Sequence, residues 1–254
     1  MPADRLAFTS RGEGERVVLV HGFTQTERSW DRVAARLAER LEVVTVDAPG
    51  HGDSSAIRAD VPAAAALLGA AGGRATYVGY SMGGRLCLQL AVDRPELVPR
   101  LVLVSATAGI DDAAERVARR QSDGELAASI ERDGLDAFLD RWLALPLFAT
   151  LPRDAADLDD RRRNTAAGLA SSLRLAGTGT QDPLWDRLGE LSMPVLLLAG
   201  ALDAKYVAIA QRMATSIRGS KLEVFADAGH SVHLERPNAF VDVLERWLAG
   251  VGDA

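Results

Sequence analysis

The sequence predicts an α/β fold: a mostly parallel, doubly wound sheet with a helical cap inserted into it. Three observations carry that expectation. Short β-branched runs alternate with segments of helical spacing. The runs are apolar almost throughout, as strands covered by helices on both faces must be. One long interval, residues 110–191, has helical spacing only.

The runs RVVLV (16–20), LEVVTV (41–46), ATYVG (75–79), RLVLVS (100–105), PVLLLAG (194–200) and KLEVFA (221–226) read as strands. Between them Trp30–Arg40, Val61–Ala71, Met82–Asp93, Lys205–Ile217 and Pro237–Leu248 read as helices, and right-handed crossovers join such units. The alanine-rich VPAAAALLGAAGG is an ordinary helix with a glycine stop. Within 110–191, LDAFLDRWLALPLF and NTAAGLASSLRLAG carry helix patterns without the Gly/Ser/Pro composition of a linker. The expected organisation is therefore a core of residues 1–109 and 192–254 with a cap, or lid, of 110–191.

Composition narrows the function classes. The 254 residues carry a net charge of −6, which argues against nucleic acid as a general partner but permits a local basic pocket. Cys87 is the single cysteine, so no internal disulfide can form and a reducing compartment suits the chain. MPADRLAFTS lacks the apolar segment of a secretory leader, and no run reaches membrane-spanning length. These features point to a cytoplasmic protein with no membrane association, a monomer or weak homo-oligomer.

The chemistry starts at GYSMGGR, residues 79–85. A strand runs into it and a helix leaves it, so the turn at Ser81 is tight and strained, and Gly79 and Gly83 relieve the crowding. Such a turn lifts the hydroxyl above the sheet, over a helix N-terminus that favours developing negative charge. The bland alternative is a glycine-rich turn holding an incidental serine. A nucleophilic serine needs a base, and four histidines are available. His230 follows the last strand, at the carboxyl edge where open sheets do their chemistry, and is the preferred base. His233 is its rival and otherwise a packing residue; His51 falls in a turn, and His21 follows the first apolar run. The acid that would fix the imidazole is Asp203, after the strand ending at Gly200, whereas Asp227 lies too near His230 in sequence. The backbone N–H groups of Phe23 and Met82 are the expected oxyanion hole.

With HGF, DAPGHGDS, GYSMGGR, GALDAK and AGHSVHLERP in place, the chain resembles the α/β-hydrolase superfamily along its whole length; the order Ser81, Asp203, His230 is that superfamily's. RWLALPLF and GLASSLRLAGTGTQ in the cap give a narrower resemblance, to the 2-succinyl-6-hydroxy-2,4-cyclohexadiene-1-carboxylate synthases of menaquinone biosynthesis. That resemblance implies an elimination rather than a hydrolysis. Ser81, deprotonated by His230, would take a ring proton next to the succinyl ketone, the two amides would hold the oxyanion, and pyruvate would leave. It implies no cofactor and no metal, and a small anionic substrate held by cations. The implied substrate contacts are Arg85, Arg119 (favoured over Arg120 by its spacing to Asp123), Arg161 (favoured over its neighbours by its spacing to Asn164), Tyr80, Trp142, Phe148 and Lys205. Charged runs such as DDRRRN are equally read as solvated helix faces, and Trp142 and Phe148 as lid core. Two rival functions stay open: a serine esterase or carbon–carbon bond hydrolase working through an acyl-enzyme, and a hydrolase-like binding protein.

Overall fold

The computed structural model describes residues 5–250; positions 1–4 and 251–254, at the outer ends of the expected core segments and including the start of the MPADRLAFTS stretch, lie outside the described residues. Seven strands form the sheet: β1 (Phe8–Arg11), β2 (Glu15–Val20), β3 (Leu41–Val46), β4 (Thr76–Tyr80), β5 (Arg100–Val104), β6 (Val195–Gly200) and β7 (Lys221–Phe225). Their order across the sheet is β1-β3-β2-β4-β5-β6-β7, all parallel except β1, which pairs antiparallel to β3 with Phe8 opposite Val46. The sequence reading missed β1. As an edge strand, FTSR is exposed along most of its length and so carries none of the apolar run that marks its neighbours.

Side-chain alternation divides the core into two layers. Val17 and Leu19 of β2 face Trp30, Val33 and Leu37 around α1 (Asp31–Leu37), together with Phe240 and Leu244 of α10 (Pro237–Gly250). Val18 and Val20 face the opposite layer, built by α2 (Val61–Gly72), α3 (Met82–Asp93) and α8 (Ala204–Ser216). Helix α2 starts where the Asp60 carboxylate accepts the Ala63 N–H at 2.9 Å and stops at Gly73.

Between β5 and β6 the described chain is helical: α4 (Ala113–Asp133), α5 (Leu135–Leu143), α6 (Leu158–Arg161) and α7 (Ala166–Ala176), with short 3₁₀ turns between. They share a small core of Ala127, Ile130, Phe138, Leu139, Leu169, Ala170 and Leu173, against which Phe23 and Trp142 pack. Truncating a ring such as Phe138 to alanine there costs about 3–5 kcal/mol. Phe23 belongs to the loop after β2, so this helical layer rests on the sheet's carboxyl edge. Among the described residues no helix is long and apolar enough to cross a membrane.

Candidate active site

Strand β4 ends at Tyr80, α3 begins at Met82, and Ser81 alone makes the turn, with φ 50° and ψ −106°. No room is left around it. A Cβ on Gly79 would lie 2.5 Å from the Gly83 carbonyl oxygen, and one on Gly83 would lie 2.3 Å from that of Val20. The Ser81 N–H donates to the Val104 carbonyl at 2.8 Å, which ties the turn to β5. Backbone strain of this kind costs of order 1–3 kcal/mol and persists only where its surroundings enforce it.

The strands beyond bring two more groups to Ser81. The His230 Nε2 lies 3.1 Å from the Ser81 Oγ, and its Nδ1 lies 2.7 Å from Asp203 Oδ2. Asp203 follows β6 as the cap of α8, its Oδ1 accepting the Tyr206 N–H at 3.3 Å. With Nδ1–H donating to the carboxylate, Nε2 is left as the acceptor facing the hydroxyl. The rings of Tyr206 and Tyr80, at centroid distances of 4.5 and 5.3 Å, enclose the imidazole.

The other histidines are occupied elsewhere. His233 packs between Trp30 and Tyr80, at 4.2 and 4.4 Å, with neither ring nitrogen hydrogen-bonded among the described residues; burial pushes it down to about 3. His21 accepts the Ala48 N–H at 3.1 Å and donates to the Gly22 carbonyl at 2.8 Å. His51 donates to the Pro49 carbonyl. Asp227 pairs with Arg236 on the surface.

A cavity of about 180 Å³ opens over Ser81 and His230, between the sheet edge and the helical layer. Phe23, Met82, Tyr80, Arg85, Arg119, Trp142, Phe148 and Lys205 all line it. Met82 is the first residue of α3, so its N–H has no acceptor within the helix. Among the described residues neither that N–H nor that of Phe23 donates a hydrogen bond. The Trp142 Nε1–H is likewise buried and unpartnered.

Arg85 sets the electrostatics. It is 6% exposed; Nη1 donates to Gln181 Oε1 at 3.1 Å and Nη2 to the Ala176 carbonyl at 2.8 Å. Both partners are neutral, and desolvation pushes the guanidinium down to about 10. A buried cation hydrogen-bonded only to neutral oxygens, with the Asp123 carboxylate acting on it without an ion pair, favours an anion in the adjoining space. Arg119 is half exposed at the rim, its Nε donating to Asp123 Oδ1 at 2.7 Å, and Lys205, which also lines the cavity, is exposed.

Arg161 corrects the sequence reading. It does not line this cavity but a separate one, with Gln25, Arg28 and Leu234. Its guanidinium is fully buried and already engaged, donating to the Thr24 hydroxyl and, at 2.6 Å, to the Ala156 carbonyl. A short helix, α6, turns the side chain inward beneath the loop after β2. Arg120 holds the Gly179 carbonyl instead of facing the cavity. Conversely, Tyr206, Thr107 and Ser172 line the cavity, and Gln181 orients Arg85; none was anticipated. Tyr206 had a signal, since an amide three residues after Asp203 is the one a capping carboxylate satisfies. Ser172 and Gln181 lie in the GLASSLRLAGTGTQ stretch that carries the narrower resemblance, and Thr107 had no signal. Among the described residues no group of three or more His, Cys, Asp or Glu is placed to hold a metal ion.

A hydroxyl bonded to an imidazole that is itself held by a carboxylate can transfer a proton or attack an electron-poor carbon. Comparison with known proteins gives this geometry its context. The alpha/beta hydrolase family matches residues 17–243. The chain belongs to this family. Within it, the chain is 37% identical over 251 residues to a Bacillus subtilis protein provisionally named 2-succinyl-6-hydroxy-2,4-cyclohexadiene-1-carboxylate synthase, covering 93% of this chain and 91% of the relative. The synthase of that name from Serratia proteamaculans is 32% identical over 256 residues, 95% of this chain and 97% of its own. Among solved structures, MenH from S. aureus superposes with a TM-score of 0.89 at 29% identity, covering 98% of this chain and 99% of that one. The alpha/beta hydrolase fold and the resemblance to these synthases, both expected from the motifs, are what the comparisons return.

Proposed function

We propose that this alpha/beta hydrolase is a carbon–oxygen lyase of menaquinone biosynthesis. It would eliminate pyruvate from 2-succinyl-5-enolpyruvyl-6-hydroxy-3-cyclohexene-1-carboxylate to give 2-succinyl-6-hydroxy-2,4-cyclohexadiene-1-carboxylate. The names of its relatives support the reaction. One observation carries the reading to this site: the buried Arg85 guanidinium, hydrogen-bonded only to neutral oxygens, shares a cavity with Ser81 and His230. An esterase has no need of a desolvated cation beside its serine, whereas a substrate with several carboxylates does.

In this scheme His230 takes the Ser81 proton as the serine oxygen removes the ring proton next to the succinyl ketone. The electron pair moves onto the ketone oxygen, which the Phe23 and Met82 amides stabilise. Collapse of that enolate breaks the ring C–O bond; pyruvate leaves as its enolate and takes up the proton held by His230. Asp203 keeps the imidazole in the tautomer that can cycle, and Arg85 and Arg119 hold the substrate's carboxylates. Trp142, Phe148, Tyr80 and Lys205 shape and rim the cavity. Arg161 is left out of the binding set, because its hydrogen bonds are made elsewhere. The enzyme would work in the cytoplasm without a cofactor.

The test offers the purified protein the enolpyruvyl substrate and, in parallel, p-nitrophenyl acetate. Fast pyruvate release with slow ester hydrolysis is expected; fast ester hydrolysis with no pyruvate overturns the reading.

A further inference from the structure

The loop that presents His230 is gripped from outside the triad. Glu235, on the short helix α9 (Val232–Glu235), is 6% exposed. Its Oε2 accepts the Gly229 N–H at 2.7 Å, and its Oε1 accepts the Ser231 N–H at 3.0 Å. The residue between those two amides is His230. Neighbouring Arg236 does not neutralise the carboxylate: its Nε reaches Asp227 and its Nη1 donates to the Glu235 backbone carbonyl. Among the described residues Glu235 makes no ion pair.

A buried carboxylate without a counter-ion is costly and is tolerated only when its oxygens are fully used. Helix capping accounts for half of the arrangement, since Ser231 precedes α9 and its amide needs an acceptor. Capping does not account for the shorter bond, which leaves the helix and reaches Gly229 on the far side of the histidine. We infer that Glu235 is a positioning residue for His230: by fixing the Ala228–Gly229 and His230–Ser231 peptide units, which bracket the Gly229–His230 segment, it sets where the imidazole stands between Asp203 and Ser81. A second tie acts on the same loop, because the Tyr80 hydroxyl lies 2.8 Å from the Ser231 Oγ and so joins the loop to the strand that carries the nucleophile. The inference rests on His230 serving as the base, not on the identity of the substrate.

The test compares wild type, Glu235→Gln and Glu235→Ala, with His230→Gln as the reference that identifies the signal. Two readouts are taken: the downfield proton resonance of the His230 Nδ1–H bonded to Asp203, and steady-state pyruvate release. Glu235→Gln keeps one accepting oxygen and turns an N–H toward a backbone N–H. Its kcat should fall about tenfold, and that of Glu235→Ala about a hundredfold, with KM within about twofold of wild type. The proton signal should weaken in the same order. Thermal unfolding confirms that each variant is folded at the assay temperature; if Glu235→Ala does not fold, Glu235→Gln decides. Folded variants that keep both the resonance and kcat would show that Glu235 merely caps a helix and would overturn the inference. If wild type releases no pyruvate, the reaction assignment falls by itself, and the imidazole proton alone judges Glu235.

Discussion

Ser81 and Arg119 line the same cavity, yet they are held in different ways. Ser81 sits where two regular elements meet, its backbone strained, its N–H bonded to β5 and its neighbours too crowded for a side chain. Arg119 lies on α4 of the helical layer, half exposed and fixed by one ion pair to Asp123. Arg85 stands between these cases, on the elbow helix but oriented by Gln181 and Ala176 from the segment between β5 and β6. The sheet edge thus builds the reactive groups rigidly, while the helical layer adds charge on adjustable supports. Rigid placement serves proton transfer, which loses rate steeply with sub-ångström error; longer, softer contacts are adequate for holding carboxylates.

That contrast orders the expected losses. Ser81→Ala or His230→Ala should lower kcat at least about a thousandfold with the fold intact by circular dichroism, since triad members act as a unit. Retention of a tenth of the rate would break the rigid half of the comparison. Arg85→Ala should reduce kcat/KM about a hundredfold, the scale of a desolvated charge-assisted pair. Its Tm should hold or rise, because removing a buried cation that lacks an ionic partner relieves a desolvation cost. Unchanged kinetics would remove Arg85 from the site. Arg119→Ala should raise KM about tenfold or less, and added salt should shrink the difference, as expected at a solvated rim.

The smallest effect concerns stability against acid. Burial holds His21 near pKa 4 and His51 and His233 near 3, against an ordinary 6.5. The unfolded chain therefore binds protons that the folded chain refuses. The contribution of these residues is complete above about pH 6.5 and is lost as pH falls toward 4 and 3, by up to about 1.4 kcal/mol per pH unit for each proton. Burial raises Glu27, Asp47 and Asp160, which favours the folded state at low pH and partly offsets the loss. His233→Phe, which keeps the stack on Trp30 and Tyr80, should flatten the fall in Tm between about pH 6.5 and 4. An unaltered slope would mean that His233 is protonated in the folded protein.

The same contrast explains what the sequence disclosed. Strands buried on both faces announce themselves as apolar runs, and a strand–turn–helix with spaced glycines announces its serine. Asp203 was legible because it follows such a strand, β6; His230 follows β7, a mostly exposed edge strand, and was legible from the glycine-containing loop at that strand's carboxyl end. The edge strand β1 was not, being mostly exposed. In the helical segment between β5 and β6, helical pattern alone cannot say which way a side chain turns. Arg161 and Arg119 look alike as residues in charged runs, yet α6 buries one under the loop after β2 while α4 leaves the other at the cavity rim. Glu235 escaped notice for a related reason: its partners are backbone amides, which no residue pattern displays.

The most direct measurement of the central claim, proton removal at the Ser81–His230 pair, is the rate of pyruvate release from substrate deuterated at the ring carbon next to the succinyl ketone, with quenched samples weighed for adducts on Ser81. A severalfold slower release from deuterated substrate, with Ser81 unmodified throughout turnover, is the predicted result. A rate indifferent to deuterium, together with a substrate fragment covalently attached to Ser81, would contradict it.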